Sequence, residues 1–472
     1  MIFPLRTYWV IKNAIIVLFT VLFLFPENFT RSESNHKSKL LTHSEESLLK
    51  GYFMHNRVQL IDSLVQTYAG RTRFNGNLLV AVGGKIVYEG SVGFESYDGR
   101  IPLTKQSVFQ LASVSKQFAA IAILMLHEHN RLDIDDLLSR YIPELHYQGV
   151  TIRHLLNHTA GLPDYLQLIE NAWVGNGLPD NEELIRLLAE HQLPRFHTPG
   201  LRFNYSNTGY ALLASVVERV TGNTFSTFLR QHFFTPLQMK GAFTSVEIID
   251  SLVALENITK GHRSGQKRHI FAFPTIHDRI LGDKGIFSSA SDIFKWDQAL
   301  NSGLFVNLKL LDEAFSPTKL PGGKTILYGY GFRLGERNHE KIVYHHGTWQ
   351  GYRTSFKRYV TKDNTIIILN NVNQRFNNEI IEKIEDIIEA PFQPNPTQLL
   401  ALKIIESGVG PSLLVFEKMR SDGQIVKPDS VTLQNVAWLL TRMNKPVSSK
   451  QVFEFSETID LVYPTDPLAK PR

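Results

Sequence analysis

The strongest constraint on the fold is that β-strand patterns occur at two places far apart in the chain, with helical patterns between them. Residues 77–92 read NLLVAVGGKIVYEGSV, two β-branched runs around Gly83-Gly84, which predicts a hairpin. Strand patterns return over 341–345, 352–360 and 365–369, with a turn at Lys362-Asp363-Asn364. In between, residues 116–129 (KQFAAIAILMLHEH) are apolar almost all round, as in a helix buried on most sides. Residues 207–220 (NTGYALLASVVERV) predict an amphipathic helix closed by Gly222, and 291–300 another with Ser291 or Asp292 near its cap. A charged amphipathic helix is expected over 378–389. Every one of these elements must bury a face. One antiparallel sheet that takes strands from both ends, flanked by helices and carrying a helical subdomain, does so for all of them, so the fold class is α+β.

Composition narrows the chemistry. Of 472 residues, 43% are hydrophobic and 20% charged, which excludes a wholly disordered or fibrous chain. Lys+Arg 50 against Asp+Glu 45 leaves a mild +5, and no basic block is interleaved with aromatics, so no nucleic-acid partner is expected. Cysteine is absent. Disulfides, thiolate metal sites and a cysteine nucleophile are thereby excluded, and covalent catalysis must run on Ser, Thr, Lys, Tyr or a carboxylate.

At the N-terminus, Arg6 and Lys12 precede an apolar run over 14–25, broken only by Thr20 and ended by Pro26. The run is shorter than the roughly 20 residues that span a bilayer. Residues 1–25 therefore read as a secretory signal peptide, with an uncleaved signal anchor as the rival, and either version exports the chain. Residues 26–50 are polar and read as a flexible tether. The stretch 391–396 (PFQPNP) is a linker, and 397–472 predict an all-α tail with helices over 397–406, 411–420, 431–444 and 448–462. Residues 430–464 have about the length of one tetratricopeptide repeat, although the usual small and aromatic positions are poorly met. A plain helical tail and a partner-docking repeat both remain open.

Three short motifs carry the chemistry. Ser113-Val114-Ser115-Lys116 fits S-x-x-K, a pattern that also occurs at Ser34/Lys37, Ser47/Lys50 and Ser316/Lys319. Only at Ser113 does a buried-type helix begin at the motif, which puts Lys116 on the same face and within reach of the hydroxyl. A serine is a weak nucleophile until its proton is taken, and a partly desolvated lysine amine can take it. The bland alternative is an N-cap serine before a surface lysine. Tyr205-Ser206-Asn207 is the only Y-x-N and opens the second helix. A tyrosine beside a cation is a general-base candidate, and Asn207 offers a donor and an acceptor. The alternative is a packing tyrosine next to an asparagine cap. His345-His346-Gly347-Thr348 contains the only H-x-G, at the end of a strand pattern, where glycine lets a ligand approach the backbone. The alternative is a pair of surface histidines before a turn.

Other clusters carry less. His154 and His158 are four apart, but no carboxylate completes a metal set. Asp133-Ile134-Asp135-Asp136 lacks the glycine and glutamate of a calcium loop and reads as a helix-capping turn. Gly322-Gly323-Lys324-Thr325 fails as a phosphate loop because the first glycine position holds Thr318. Phe287 and Trp349 read as packing residues. No metal or organic cofactor is expected.

In this order, the three motifs follow the signature of active-site serine β-lactamases and penicillin-binding proteins. Over residues 51–391 the chain resembles the serine β-lactamase-like superfamily, in particular its class C β-lactamase, esterase and D-peptidase branch. The segment LLNHTAGLPDY (155–165), residues 204–222 and GIFSSASD (285–292) are similar to that branch as well. The resemblance implies a β-lactamase/transpeptidase-like fold with Ser113 as the acylated nucleophile and Lys116 and Tyr205 as the proton-transfer pair. It implies that Asn207 bonds substrate and the lysine, that His345 stands where a cation usually stands, and that Gly347 and Thr348 border the substrate. The N–H groups of Ser113 and Thr348 would form the oxyanion hole. His345 departs from the family's usual lysine, and with a pKa near 6.5 it is mostly neutral at pH 7. Arg333 or Arg353 would then have to supply the charge. The expected substrates are small-molecule esters, amides or peptides ahead of β-lactams. The competing class is a binding or sensor protein with the same pocket, slow acylation and a partner on the tail.

Overall fold

The structure is a computed structural model. It describes residues 57–70, 74–96, 100–250, 258–264, 269–271, 274–373, 377–390, 396–423 and, within 428–462, residues 428–429, 432–434, 436–437 and 446–462. The expected signal and tether, the linker up to residue 395 and most of the predicted helix over 431–444 lie outside the described residues.

Strands from both ends of the region over 76–370 form one antiparallel sheet. They are β1 (Gly76–Val82), β2 (Lys85–Val92), β3 (Arg333–Arg337), β4 (Glu340–Trp349), β5 (Tyr352–Tyr359) and β6 (Asn364–Asn370). The spatial order is β3-β4-β5-β6-β1-β2, so the first hairpin adds to the edge of the last meander through β1 and β6. Gly83 and Gly84, both with positive φ, make the β1–β2 turn. Side chains alternate across the central strands as a pleated strand requires. Leu78, Val80, Ile366 and Ile368 pack with Ile61 and Val65 of the helix over 57–70 and with Ile380 and Ile384 of the helix Asn377–Glu389. Leu79, Ala81, Ile367 and Leu369 face the opposite way, into the larger core with Phe118 and Trp296. The sheet is thus covered on both faces, and the apolar helix Lys116–Glu128 is buried in the larger layer.

The insertion between β2 and β3 is mostly helical. Its helix Asn207–Thr221 starts at Ser206, whose hydroxyl accepts from Gly209 N at 3.1 Å, and ends at Gly222 with φ 75°. Capping therefore falls to Ser206, which leaves Tyr205 and Asn207 free on either side of it. The helix Ala290–Asn301 is capped by Ser289, two residues before Ser291 and three before Asp292, because the Ser289 hydroxyl accepts from Asp292 N. A small sheet pairs Phe109–Gln110 with Ile286–Ser288, and Phe243–Thr244 with the same strand. Helices Pro396–Ser407, Val409–Ser421 and Pro446–Val462 pack on one another.

The β4 strand runs through His345-His346-Gly347-Thr348 rather than ending there. Alternation then sends His345 and Gly347 to the buried face.

Helix Ala290–Asn301 is fixed to the sheet by a buried ion pair. Arg358 Nη1 lies 2.6 Å from Asp297 Oδ2, with both side chains at most 1% exposed, and Thr365 Oγ1 donates to the same oxygen at 2.7 Å. Arg358 Nη2 also pairs with Asp363 Oδ1 at 2.7 Å, whereas Arg358 is the only cation that Asp297 meets among the described residues, so losing Arg358 leaves a buried carboxylate uncompensated. Arg358→Met is expected to cost about 3–5 kcal/mol in urea denaturation, and Asp297→Leu combined with it to recover part of the loss. Equal stability of Arg358→Met and the wild type would show that the pair does not hold the layers.

Candidate active site

Ser113 lies in the tight turn Ala112–Ser115, which runs directly into the helix Lys116–Glu128. Ala112 has φ 50°, a left-handed conformation that a residue with a side chain adopts only under constraint. The constraint is visible on both sides. Thr354 Oγ1 of β5 donates to Leu111 O at 2.6 Å, Leu111 N donates to Ile286 O at 2.8 Å, and Ser115 Oγ accepts from Ile286 N at 3.2 Å. Gly347 of β4 makes the close approach feasible, since a Cβ there would lie 2.2 Å from Leu111 O and 3.0 Å from Ala112 Cβ. The third motif's glycine therefore seats the Ser113 turn against the sheet.

Lys116 is fully buried. Its Nζ lies 3.3 Å from Ser113 Oγ, 2.8 Å from Asn207 Oδ1 and 2.8 Å from the carbonyl oxygen of Asp283. Two of these three partners are carbonyl oxygens, which only accept. In the neutral amine the two remaining hydrogens stay on them, and the lone pair falls toward Ser113. The half-buried Tyr205 completes the group, with its ring centroid 5.0 Å from Lys116 Nζ. Ser113 with Lys116, Tyr205 with Asn207, and the Asp283 carbonyl thus converge in one place from three distant segments.

His345 is 1% exposed. Its Nε2 is 3.2 Å from Tyr328 Oη, and its Nδ1 is 2.8 Å from the His346 carbonyl oxygen. Burial holds its pKa well below the ordinary histidine value, and the charges of Lys116 and Arg333 push the same way. His345 is therefore a neutral wall residue and supplies no cation. Arg333 does: its Cζ sits 5.4 Å from the Tyr205 ring centroid and 5.9 Å from that of Tyr328. Among the described residues it makes no ion pair with a carboxylate. Arg353 is engaged elsewhere, donating through Nε to Asn373 Oδ1 at 2.8 Å. The exposed Thr348 lies beside Gly347 on β4, at the site's edge.

His158 packs behind this cluster, its ring 4.3 Å from Tyr205, 4.6 Å from Tyr328 and 5.0 Å from Tyr210. Its Nδ1 accepts from Ser206 N at 3.1 Å, whereas the Nδ1 of His154 accepts from Thr151 N at 3.2 Å. The two histidines cap different backbones and do not converge. Phe287 is buried against Tyr352, and Trp349 Nε1 donates to Asp278 Oδ1 at 2.7 Å. Sequence reasoning missed Tyr328 and the Asp283 carbonyl. The segment GIFSSASD pointed to the right loop, but a backbone oxygen carries no residue signature.

This geometry brings a serine, a buried lysine and a tyrosine together as the serine hydrolases of one family do. The chain belongs to the beta-lactamase family, whose model matches residues 61–386. It is 34% identical over 349 residues to penicillin-binding protein 4* of Bacillus subtilis, which covers 71% of this chain and 76% of that one. A D-aminopeptidase of Brucella canis is 28% identical over 299 residues, covering 62% of this chain and 55% of the relative. The fold is similar to the octameric penicillin-binding protein homologue from Pyrococcus abyssi, with TM-score 0.62 at 23% identity over 74% of this chain and 82% of that one. The protein is thus a serine hydrolase by family, with the mixed helix and antiparallel-sheet fold of its neighbours.

The buried histidines give stability a defined pH dependence. Burial places His158 and His345 well below the ordinary value, and His346 falls to about 4. A depressed pKa in the fold means that the unfolded chain binds more protons once the pH drops below about 6.5. Stability is then lost at up to about 1.4 kcal/mol per histidine per pH unit. His345→Gln, which stays neutral, should flatten the fall in urea-unfolding free energy between pH 7 and 5. An unchanged slope would mean that His345 is protonated in the fold.

Proposed function

We propose that the protein is an exported serine hydrolase that forms an acyl-enzyme on Ser113 and cleaves ester or amide bonds of small molecules or peptides. The observation that carries this reading is the bridge from Lys116 Nζ to Ser113 Oγ, Asn207 Oδ1 and Asp283 O. Lys116 takes the serine proton as Oγ attacks the carbonyl carbon. The negative charge that forms on the carbonyl oxygen is met by the N–H groups of Ser113 and Thr348. The proton passes by way of Tyr205 to the leaving group, an alcohol or an amine. Water then attacks the ester on Ser113, losing its proton to the same pair and returning the hydroxyl.

Arg333 supports substrates that carry an anionic group near the scissile bond, since a half-buried guanidinium that meets no carboxylate among the described residues favours one from outside. The name of the D-aminopeptidase relative supports amide substrates. Export rests on residues 1–25, which would leave the catalytic region facing the periplasm or the outside, with a membrane tie if the signal is not cut. A protein partner for the helical tail is a further part of this proposal.

The test is turnover by the purified chain. A short-chain nitrophenyl ester should be cleaved with a larger kcat/KM than a chromogenic cephalosporin, and Ser113→Ala should fall to background. Arg333→Gln should raise KM for a carboxylate-bearing substrate more than for the neutral ester. A cephalosporin preference would refute the substrate order, and a Ser113 adduct that never decays would mark a sensor instead.

A further inference from the structure

The loop that supplies the Asp283 carbonyl carries a second buried lysine, which the steps above do not use. Lys284 is 3% exposed. Its Nζ donates to Tyr165 Oη at 2.6 Å, to His277 O at 2.9 Å and to Ile280 O at 3.3 Å, and lies 3.5 Å from the Asp283 carboxylate. Tyr165 Oη, buried as well, donates to that carboxylate at 3.2 Å. Both side chains of the Asp283–Lys284 dipeptide are therefore tied to one phenol.

The peptide bond between these two residues is the one whose carbonyl accepts from Lys116. It is flanked by Gly282 at φ 107° and Gly285 at φ 90°, positions that by themselves leave a peptide group free to turn. The ends of the loop are fixed: a Cβ at Gly282 would lie 2.2 Å from Tyr210 O, and Ile286 is bonded to Leu111 and Ser115. What remains to hold the peptide plane is its two side chains, through the Tyr165 clamp on both and the bonds of Lys284 Nζ to His277 O and Ile280 O. Lys284 Nζ also sits 5.0 Å from the ring centroid of Trp349, the residue after Thr348. A buried lysine is a costly way to fill space, and an apolar side chain of similar volume would pack more cheaply.

We infer that Lys284 is a positioning residue for catalysis, which together with Asp283 and Tyr165 locks the Asp283–Lys284 peptide so that its carbonyl holds the Lys116 amine on Ser113. This rests on the acyl-enzyme reading of the same site. The charged and titratable groups facing Lys284 are Asp283, Asp278, Tyr165 and Lys116; those facing Lys116 are Tyr205, Tyr210, His158, His345 and Lys284. Burial draws the Lys284 pKa below the ordinary lysine value, opposed by Asp283 and Asp278.

The test follows the rate of Ser113 labelling by a fluorophosphonate against pH, in the full chain and in Lys284→Met and Tyr165→Phe. Both substitutions keep the packing volume, and Tyr165→Phe carries the test if Lys284→Met does not fold. A displaced Lys116 should slow labelling by about 10–100-fold. In Lys284→Met the uncompensated Asp283 carboxylate favours the Lys116 ammonium, so the acid limb should move to higher pH. A role in stability alone would lower the labelled fraction and leave the profile in place, which would overturn the inference. So would wild-type rates in both variants while the wild type labels normally. A wild type that does not label would sink the acyl-enzyme reading, and this inference with it.

Discussion

A lysine amine sealed from water, with three acceptors around it, is the interaction on which the rest of the structure depends. Lys116 has no exposure, and an unpaired ammonium in that position would cost several kcal/mol. The fold can bury it only if the serine turn, the start of the Asn207 helix and the Asp283 loop arrive together. Satisfying one buried group therefore assembles the site. The same demand explains why Ala112 tolerates a left-handed backbone: the turn is pinned from β4, β5 and the 286–288 strand at once.

The positive charge at the far side of the pocket is supplied by a different strand from the one the third motif suggests. His345 turns inward from β4 and is held neutral, while Arg333 reaches the Tyr205 ring from β3. The pairing of Arg333 with Tyr344 across β3 and β4 places the guanidinium next to the motif without being part of it. The charge is held against aromatic faces, which leaves its hydrogen-bonding edge without a carboxylate among the described residues.

Much of this was legible in the sequence, for physical reasons. Runs of β-branched and apolar residues revealed strands β1, β2, β5 and β6 and the first half of β4, because the central strands bury both faces between the two layers. The apolar helix after Ser113 was legible because it is buried nearly all round, and the three motifs are local, so their residues read directly. Arg333 could be named as a source of charge but not chosen over Arg353, since strand register decides between them and leaves no local trace. The Asp283 carbonyl and the Tyr165–Lys284 clamp were invisible for the same reason: they join a helix start, a glycine-flanked loop and a strand end that only the folded chain brings together. The third motif was expected at a strand's end and lies within β4, because Gly347 is there to admit the Ser113 turn, a packing need that does not disturb the pattern before it.

The most direct test of the central claim is the pre-steady-state burst of nitrophenol from a nitrophenyl ester in the wild type and in Lys116→Met, with thermal melts on both. If the amine primes the serine, the wild type releases a burst of about one equivalent per site and the variant, still folded, shows none. A folded Lys116→Met chain with an undiminished burst would contradict the account.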